Sequence, residues 1–246
     1  MLGPLLVLAA LSLQGSASPV TVSAAVSLSE ALEEVAAAHR AAGGAPVTFN
    51  FAGSNVLARQ IVNGAPVDVF VSADEAQMEV VARAGLVVEG TRVDVAGNTL
   101  VLVADAGTSI RTLADLGNAE VRRIAIGDPA AVPAGVYARK YLEDIGLWAR
   151  LEPKIVPTTN VRAALTSVQN GSVSAAFVYA TDARVAPELK VVVTVSGARA
   201  PRIVYPACVV RTSRQPAAAG AFLSFLRSPA AAAILARHGF VPPAGR

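Results

Sequence analysis

Patterns typical of β-strands and α-helices alternate along most of this 246-residue chain, and this alternation restricts its fold more than any other feature. Runs rich in valine and isoleucine are followed, after a few residues, by amphipathic runs with helical spacing. The strand-like runs are 21–26, 46–53, 67–74, 98–105, 121–128, 175–183, 190–197 and 202–210. Short connections between such runs favour a layered α/β architecture with mostly parallel sheets.

Several predicted helices begin at residues that are typical N-caps. Ser27 and Glu30 have the spacing of a capping box, which predicts a helix that starts at Ser27. Asp74 precedes another helical run, and Thr159 or Asn160 precedes a third. The further helical runs are 54–64, 75–85, 133–146, 159–171, 216–228 and 228–239.

Residues 1–17 are typical of a targeting segment and not of the fold. A short apolar run, Leu5–Leu13, cannot span a bilayer, and the small residues 15–17 follow it as at a signal-peptide cleavage site. No lysine or arginine precedes the run, which departs from the usual pattern; the alternative is a buried N-terminal strand or helix. We expect residues 1–17 to be a signal peptide and the mature protein to be exported.

The composition argues against several classes of function. The net charge is only +3 and no basic stripe occurs, so nucleic acid is not an expected partner. Cys208 has no second cysteine to pair with, and one cysteine with two separated histidines forms no zinc site. His39 and His238 each stand near a predicted helix end, where C-terminal capping is the expected role.

No catalytic motif with a mechanism is present, so we do not expect an enzyme. The chain lacks a phosphate-binding loop, a nucleophile elbow and a zinc-protease helix motif. Four acidic residues near strand ends are expected to be helix caps and loop anchors and not paired catalytic acids. They are Asp68, Asp74, Asp128 and Asp182.

Four predicted helix N-termini follow strands and could bind an anion. They begin at Ser27, at Ser54, at 133–134 and at 160–161. Ligands of parallel α/β sheets lie beyond the carboxyl ends of the strands, where the first N–H groups of the next helix lack intrahelical partners. Whether the four ends converge is left open by these patterns.

The chain resembles the bacterial periplasmic molybdate-binding proteins (ModA type) from about Val20 to about Val241. The resemblance rests on five segments in the family's order: "SAAVSLSEAL", "FAGSNVLARQIVNGAPVDVFVSAD", "GDPAAVPAGVYARKYLEDIG", "NVRAAL" and "FVYATDA". It implies a type II periplasmic-binding fold, in which two α/β lobes are joined by two crossing strands with the ligand cleft between them. The lobes are expected at 18–97 plus 202–246 and at 98–201.

The resemblance also implies a ligand set. The family's oxyanion ligands fall on Ser27 and Ser54 in the first lobe, and on Ala134, Val161 and Tyr179 in the second. The implied ligand is molybdate or tungstate, with no cofactor and no bound metal cation. The implied partner is the membrane permease of an ABC importer, which a monomeric receptor serves in the periplasm.

Three other functions stay open. A receptor for sulfate or another tetrahedral oxyanion would use the same kind of site. An enzyme on a similar two-lobe fold lacks the expected motifs. The effector-sensing part of a transcription regulator is disfavoured by the signal-like N-terminus and by the absence of a helix-turn-helix pattern.

Overall fold

The computed structural model describes residues 18–243, which form two α/β lobes, each with a five-stranded sheet. The predicted signal peptide, 1–17, and the last three residues, 244–246, lie outside the described residues. The strands are β1 Val20–Ala25, β2 Val47–Ala52, β3 Val69–Val71, β4 Val93–Asn98, β5 Leu100–Asp105, β6 Ile124–Gly127, β7 Ile155–Thr158, β8 Ala175–Tyr179, β9 Leu189–Thr194 and β10 Ile203–Val209.

Helices cover the sheets. They are α1 Ser29–Ala41, α2 Ser54–Val62, α3 Glu75–Arg83, α4 Pro133–Asp144, α5 Trp148–Leu151, α6 Val161–Gln169, α7 Ala180–Arg184, α8 Pro216–Leu226 and α9 Pro229–Arg237. Within residues 18–243, no single helix is long and apolar enough to cross a bilayer. Only α8 and α9 together reach that length and hydropathy, with a 61° bend between them.

The strand order shows where the chain passes from one lobe to the other. The first sheet has the order β2-β1-β3-β10-β4, and the second has the order β7-β6-β8-β5-β9. The chain therefore leaves the first sheet between β4 and β5 and returns to it between β9 and β10. These two crossings join the lobes.

Both sheets are mixed, but in each of them four of the five strands run in one direction, as the prediction of mostly parallel sheets implies, and only β10 and β5 are reversed. β1 is parallel to β2 and β3, and β6 is parallel to β7 and β8. β10 runs antiparallel to β3 and β4, and β5 runs antiparallel to β8 and β9. Parallel neighbours need a crossover connection such as a helix. The antiparallel strands are those next to the lobe crossings.

The predicted capping box at Ser27 is not formed. Val26–Leu28 is a 3-10 turn, and α1 begins at Ser29 with no side-chain cap. The hydroxyl of Ser27 lies instead 3.1 Å from that of Tyr205, and the carboxylate of Glu30 accepts from the hydroxyl of Ser29. A tertiary contact has therefore replaced the local cap.

Several further elements differ from the sequence patterns, among them strand β4 and the short helix α5, which were not expected. The strand expected at 175–183 ends at Tyr179, because the carboxylate of Asp182 accepts from the Tyr179 N–H (3.1 Å) and so starts α7. Strand β7 was not expected at all. It contains Pro157, which cannot donate to a sheet ladder, and it lies at the edge of its sheet, where proline is tolerated.

Candidate functional site

A small pocket lies between the lobes, at the carboxyl ends of several strands. Its volume is about 10 Å³, room for about one water molecule, so the arrangement seen here leaves no space for a sugar or a peptide. No charged side chain lines it. Its lining residues are Ala25, Val26, Ser27, Ala52, Gly53, Ser54, Ala73, Val132, Pro133, Ala134, Asn160, Val161 and Tyr179.

All five residues predicted for the site line this one pocket, and each is at most 4% exposed. Ser27 lies in the turn after β1, and Ser54 is the first residue of α2. Ala134 and Val161 lie at the starts of α4 and α6, and Tyr179 is the last residue of β8. The structure therefore brings together residues that lie up to 152 positions apart in the sequence.

Three α-helices begin at the pocket, and at the fourth predicted start, Ser27, a 3-10 turn leads into α1. Helices α2, α4 and α6 have their first residues at its wall, whereas α1 starts beyond it, after the 3-10 turn. The first N–H groups of a helix lack intrahelical partners, and each helix N-terminus carries roughly half a positive charge. The pocket is thus electropositive without a cationic side chain.

Two hydroxyl groups are arranged to donate into the pocket. The Ser54 oxygen accepts from the backbone N–H of Ala73 (2.9 Å), so its own proton is free for a ligand. The Tyr179 hydroxyl is buried and has no hydrogen-bond partner within residues 18–243. Burial raises the pKa of Tyr179 well above its ordinary value, so this group keeps its proton.

The arginine that follows Val161 does not reach into the pocket. The guanidinium of Arg162 donates to the carboxylate of Glu30 (2.8 and 2.7 Å) and to that of Asp182 (2.5 Å). Burial alone would raise the pKa of Glu30, but its hydrogen bonds, chiefly from Arg162, lower it to about 2. This cation is therefore neutralised outside the pocket.

The four aspartates singled out in the sequence act as anchors. Each carboxylate accepts from a backbone N–H: Asp68 from Thr21, Asp74 from Gln77, Asp128 from Ala130 and Asp182 from Tyr179. None of them lines the pocket. In the part of the chain that the structure describes, no three His, Cys, Asp or Glu side chains could hold a metal ion.

Sequence reasoning missed residues behind the pocket wall. Tyr205 and Asn98 form hydrogen bonds that lead to Ser27, and Glu30 pairs with Arg162 across the lobes. The only signal for Asn98 was a polar residue at a strand boundary near a lobe crossing. Partners as far apart as Ser27 and Tyr205 give no local pattern.

Comparisons with known proteins agree with this geometry. The family model described as "Bacterial extracellular solute-binding protein" matches residues 20–241. The molybdate-binding protein ModA of Escherichia coli is 37% identical over 90% of this chain and 88% of its own length. The ModA protein of Haemophilus influenzae is 35% identical, with 92% of this chain and 91% of its own length covered.

Solved structures show the same fold. The periplasmic molybdate-binding protein of Azotobacter vinelandii has a TM-score of 0.81 and 27% identity, with 92% of this chain and all of that chain covered. The sulfate-binding protein SubI of Mycobacterium tuberculosis has a TM-score of 0.80 at 20% identity, covering 92% and 87% of the two chains, and shows the fold alone. These relatives bind solutes and are not enzymes. The chain therefore belongs to the bacterial extracellular solute-binding proteins, in the ModA group of that family.

Proposed function

We propose that this protein captures molybdate, and tungstate with it, in the pocket between its lobes and delivers the anion to the membrane permease of an ABC importer. The observation that carries the proposal is a small pocket between the lobes, lined by the hydroxyls of Ser27, Ser54 and Tyr179 and by three helix starts, and by no carboxylate. Relatives that are 37% and 35% identical are molybdate-binding proteins, which supports the same ligand here.

We propose Ser27, Ser54, Ala134, Val161 and Tyr179 as the ligand residues. Three hydroxyls and four backbone N–H groups give seven donors. Molybdate and tungstate are fully deprotonated tetrahedral dianions at neutral pH, so they only accept hydrogen bonds. At about 1.5–3 kcal/mol for each bond to a charged group, the gross interaction is roughly 10–20 kcal/mol. Desolvation and lobe closure reduce this sum. We expect submicromolar affinity, which corresponds to a binding free energy of about −8 kcal/mol or better.

The same donors discriminate between some anions and not between others. Hydrogen phosphate carries a proton that needs an acceptor, and no carboxylate lines the pocket to receive it. Sulfate has the charge and shape of molybdate but is smaller, so donor counting does not separate the two. The alternative function is therefore a receptor for sulfate or another tetrahedral oxyanion.

Thermal unfolding with each anion tests the proposal. The mature protein, freed of bound ligand, is heated with molybdate, tungstate, sulfate or phosphate at equal concentrations. Molybdate and tungstate should each raise the midpoint, because a ligand that binds only the folded state stabilises it. Titration calorimetry then gives the affinities. Micromolar sulfate binding beside millimolar molybdate binding would establish the alternative.

The substitution Ser54→Ala tests the ligand set. It removes one hydroxyl donor from a buried anion and should weaken molybdate binding by about 1–3 kcal/mol. Ser167→Ala is the matched control, since the Ser167 hydroxyl donates to the Ala163 carbonyl (2.8 Å) on α6 and does not line the pocket. Unchanged affinity of Ser54→Ala would remove Ser54 from the set.

We further propose that residues 1–17 are removed on export and that the mature monomer acts in the periplasm. The family model, which describes extracellular proteins, begins its match at residue 20 and supports this assignment. We propose lobe boundaries at 18–97 plus 202–246 and at 98–201. The change from one sheet to the other between β4 and β5 and again between β9 and β10 supports them.

A further inference from the structure

The Tyr205 side chain lies directly behind the proposed ligand residues without lining the pocket. Tyr205 is fully buried on β10. Its hydroxyl oxygen lies 3.1 Å from that of Ser27 and 3.0 Å from the Asn98 amide nitrogen. Its ring meets that of Tyr179 edge to face, with 6.0 Å between centroids. Tyr205 therefore contacts one proposed ligand residue from each lobe.

The direction of these hydrogen bonds follows from Asn98. Its amide oxygen accepts from the N–H of Thr99 (2.8 Å), and its amide nitrogen donates to the hydroxyls of Thr181 (2.9 Å) and Tyr205. An amide nitrogen can only donate, so the Tyr205 oxygen is the acceptor of this bond. The other partner of this buried hydroxyl within residues 18–243 is the Ser27 oxygen, so the Tyr205 proton is satisfied only if it is donated to Ser27. Ser27 accepts that proton, and its own proton points elsewhere.

We propose that Asn98 and Tyr205 are positioning residues of the anion site. The chain of hydrogen bonds from Asn98 through Tyr205 to Ser27 turns the Ser27 proton into the pocket. The inference rests on the proposed function and extends it, because it names the residues that make Ser27 a donor. Ser54 is held as a donor in a similar way, because its oxygen accepts from the Ala73 N–H and its own proton is free for the ligand.

The chain of hydrogen bonds also joins the lobes. Asn98 is the last residue of β4, before the first crossing, and Tyr205 lies on β10, after the second. Thr181, the other acceptor of the Asn98 amide, lies on α7 of the second lobe. The bond from Asn98 to Thr181 therefore links this chain of hydrogen bonds, which lies in the first lobe, to the second lobe. A Ser27 that is held as a donor also rejects anions that carry a proton.

A double-mutant cycle on molybdate affinity tests the inference. Titration calorimetry compares the wild type, Tyr205→Phe, Ser27→Ala and the double variant. Tyr205→Phe frees the Ser27 hydroxyl to rotate. The affinity should fall about three- to tenfold, which is less than the loss of a whole hydrogen bond to a charged ligand. In the Ser27→Ala background, Tyr205→Phe should cause no further loss. Tyr141→Phe, on α4 and outside the pocket lining, is the control and should bind as the wild type does.

A second readout separates positioning from a structural role. In Tyr205→Phe, the Ser27 oxygen can accept, so the ratio of molybdate affinity to hydrogen phosphate affinity should fall. The inference would be overturned if Tyr205→Phe lowered molybdate affinity equally in the wild type and in Ser27→Ala, and left the ratio of molybdate affinity to hydrogen phosphate affinity unchanged. If Tyr205→Phe does not fold, Asn98→Ala replaces it in the same cycle with the same expectation. A wild type that binds no molybdate would refute the proposed function itself, whereas additive losses in a protein that binds would refute only the positioning role.

Discussion

The Tyr179 hydroxyl is the group at the site that a ligand explains best. It is buried at the end of β8, faces the pocket and has no partner in the described part of the chain. An unpaired buried hydroxyl costs about 1–3 kcal/mol, so folded proteins rarely keep one. An anion in the pocket would accept its proton. In the proposed ligand set, Tyr179 would contribute to binding and not to the stability of the empty protein.

The substitution Tyr179→Phe should separate these two quantities. Without ligand, its midpoint of thermal unfolding should not fall, because no hydrogen bond of the empty protein is lost. Molybdate affinity should fall, and by less than in Ser54→Ala if the pocket relaxes around the missing hydroxyl. Calorimetric titration and a thermal scan of the same preparation measure both. A lower midpoint with unchanged affinity would show that Tyr179 has only a structural role.

His39 has a different role from the one that its position in the sequence indicated. It stands in the last turn of α1, which suggested a C-terminal cap, but its ring packs edge-on against Phe222 and Phe225. Its Nε2 atom is buried and unpaired within 18–243. His238 is the C-cap residue of α9, as expected, and its Nε2 also lies 2.7 Å from the Glu34 carboxylate.

The environment of His39 predicts a dependence of stability on pH. Burial lowers the pKa of His39 below 6.5, so the unfolded chain binds the proton more readily than the folded one. The contribution of His39 to the free energy of unfolding is therefore full above pH 6.5 and declines as the pH falls below it.

Urea denaturation at pH 7.5 and pH 5.5 measures this contribution. His39→Phe should lose less stability between the two pH values than the wild type, and His238→Gln serves as the control histidine variant. The comparison cancels the titration of all other groups. Equal losses in the wild type and His39→Phe would contradict the assignment.

At the scale of helices and strands, the sequence predicted elements well where local chemistry decides them. Asp74 and Asn160 cap α3 and α6 as expected, each accepting from a backbone N–H three residues on. The capping box at Ser27 failed because a residue 178 positions away competes for the same hydroxyl. The five pocket residues were predicted through the family resemblance, whereas the hydrogen bonds behind them depend on tertiary contacts.

Gly53 lies where the chain segment before α2 closely approaches the segment before α6 of the other lobe. A Cβ atom built at Gly53 would lie 3.1 Å from the Thr159 carbonyl oxygen and 2.8 Å from the Asn55 amide oxygen. The chain segments before α2 and α6 could not approach as closely with a larger residue there. The side chain of Asn55 lies beside this contact and is not part of the pocket lining.

The pair of Glu30 on α1 and Arg162 on α6 is a second contact between the lobes. Glu30→Gln should keep the fold but weaken molybdate binding about two- to fivefold, roughly 0.5–1 kcal/mol, because the pair is partly exposed and screened by solvent. The loss should shrink at high salt. Glu33→Gln, an exposed site on the same helix, is the control. An affinity equal to that of the wild type would show that the pair does not assist closure.

For the whole molecule, the position of the pocket connects binding with the arrangement of the lobes. Of the proposed ligand residues, Ser27 and Ser54 come from the first lobe and Ala134, Val161 and Tyr179 from the second, so a ligand held by this set would contact both lobes. The fold alone does not select the anion, since the sulfate-binding protein SubI shares it. Selection is therefore a property of the donors and of the size of the pocket.

The lobes are in contact around the pocket. Arg162 donates to Glu30, and the side-chain amide of Gln77 lies 3.4 Å from the Ala131 carbonyl oxygen. The pocket offers little space for an ion as large as molybdate while these contacts are in place. We therefore expect the empty protein to populate an open arrangement in solution and the ligand to shift it towards the closed one.

Small-angle X-ray scattering with and without molybdate measures this shift as a decrease in the radius of gyration. Because the ligand must bridge the lobes, Ser54→Ala should need more molybdate to reach the same closed value. Glu30→Gln should reach the same radius of gyration at saturation. The extra molybdate that it needs should be less than the extra amount that Ser54→Ala needs. A radius that does not change at saturating molybdate, with binding confirmed by calorimetry in the same buffer, would mean that the lobes are already closed before the anion enters. In that case the anion would have to enter by local opening of the pocket wall, and the interlobe pair of Glu30 and Arg162 would have no effect on affinity.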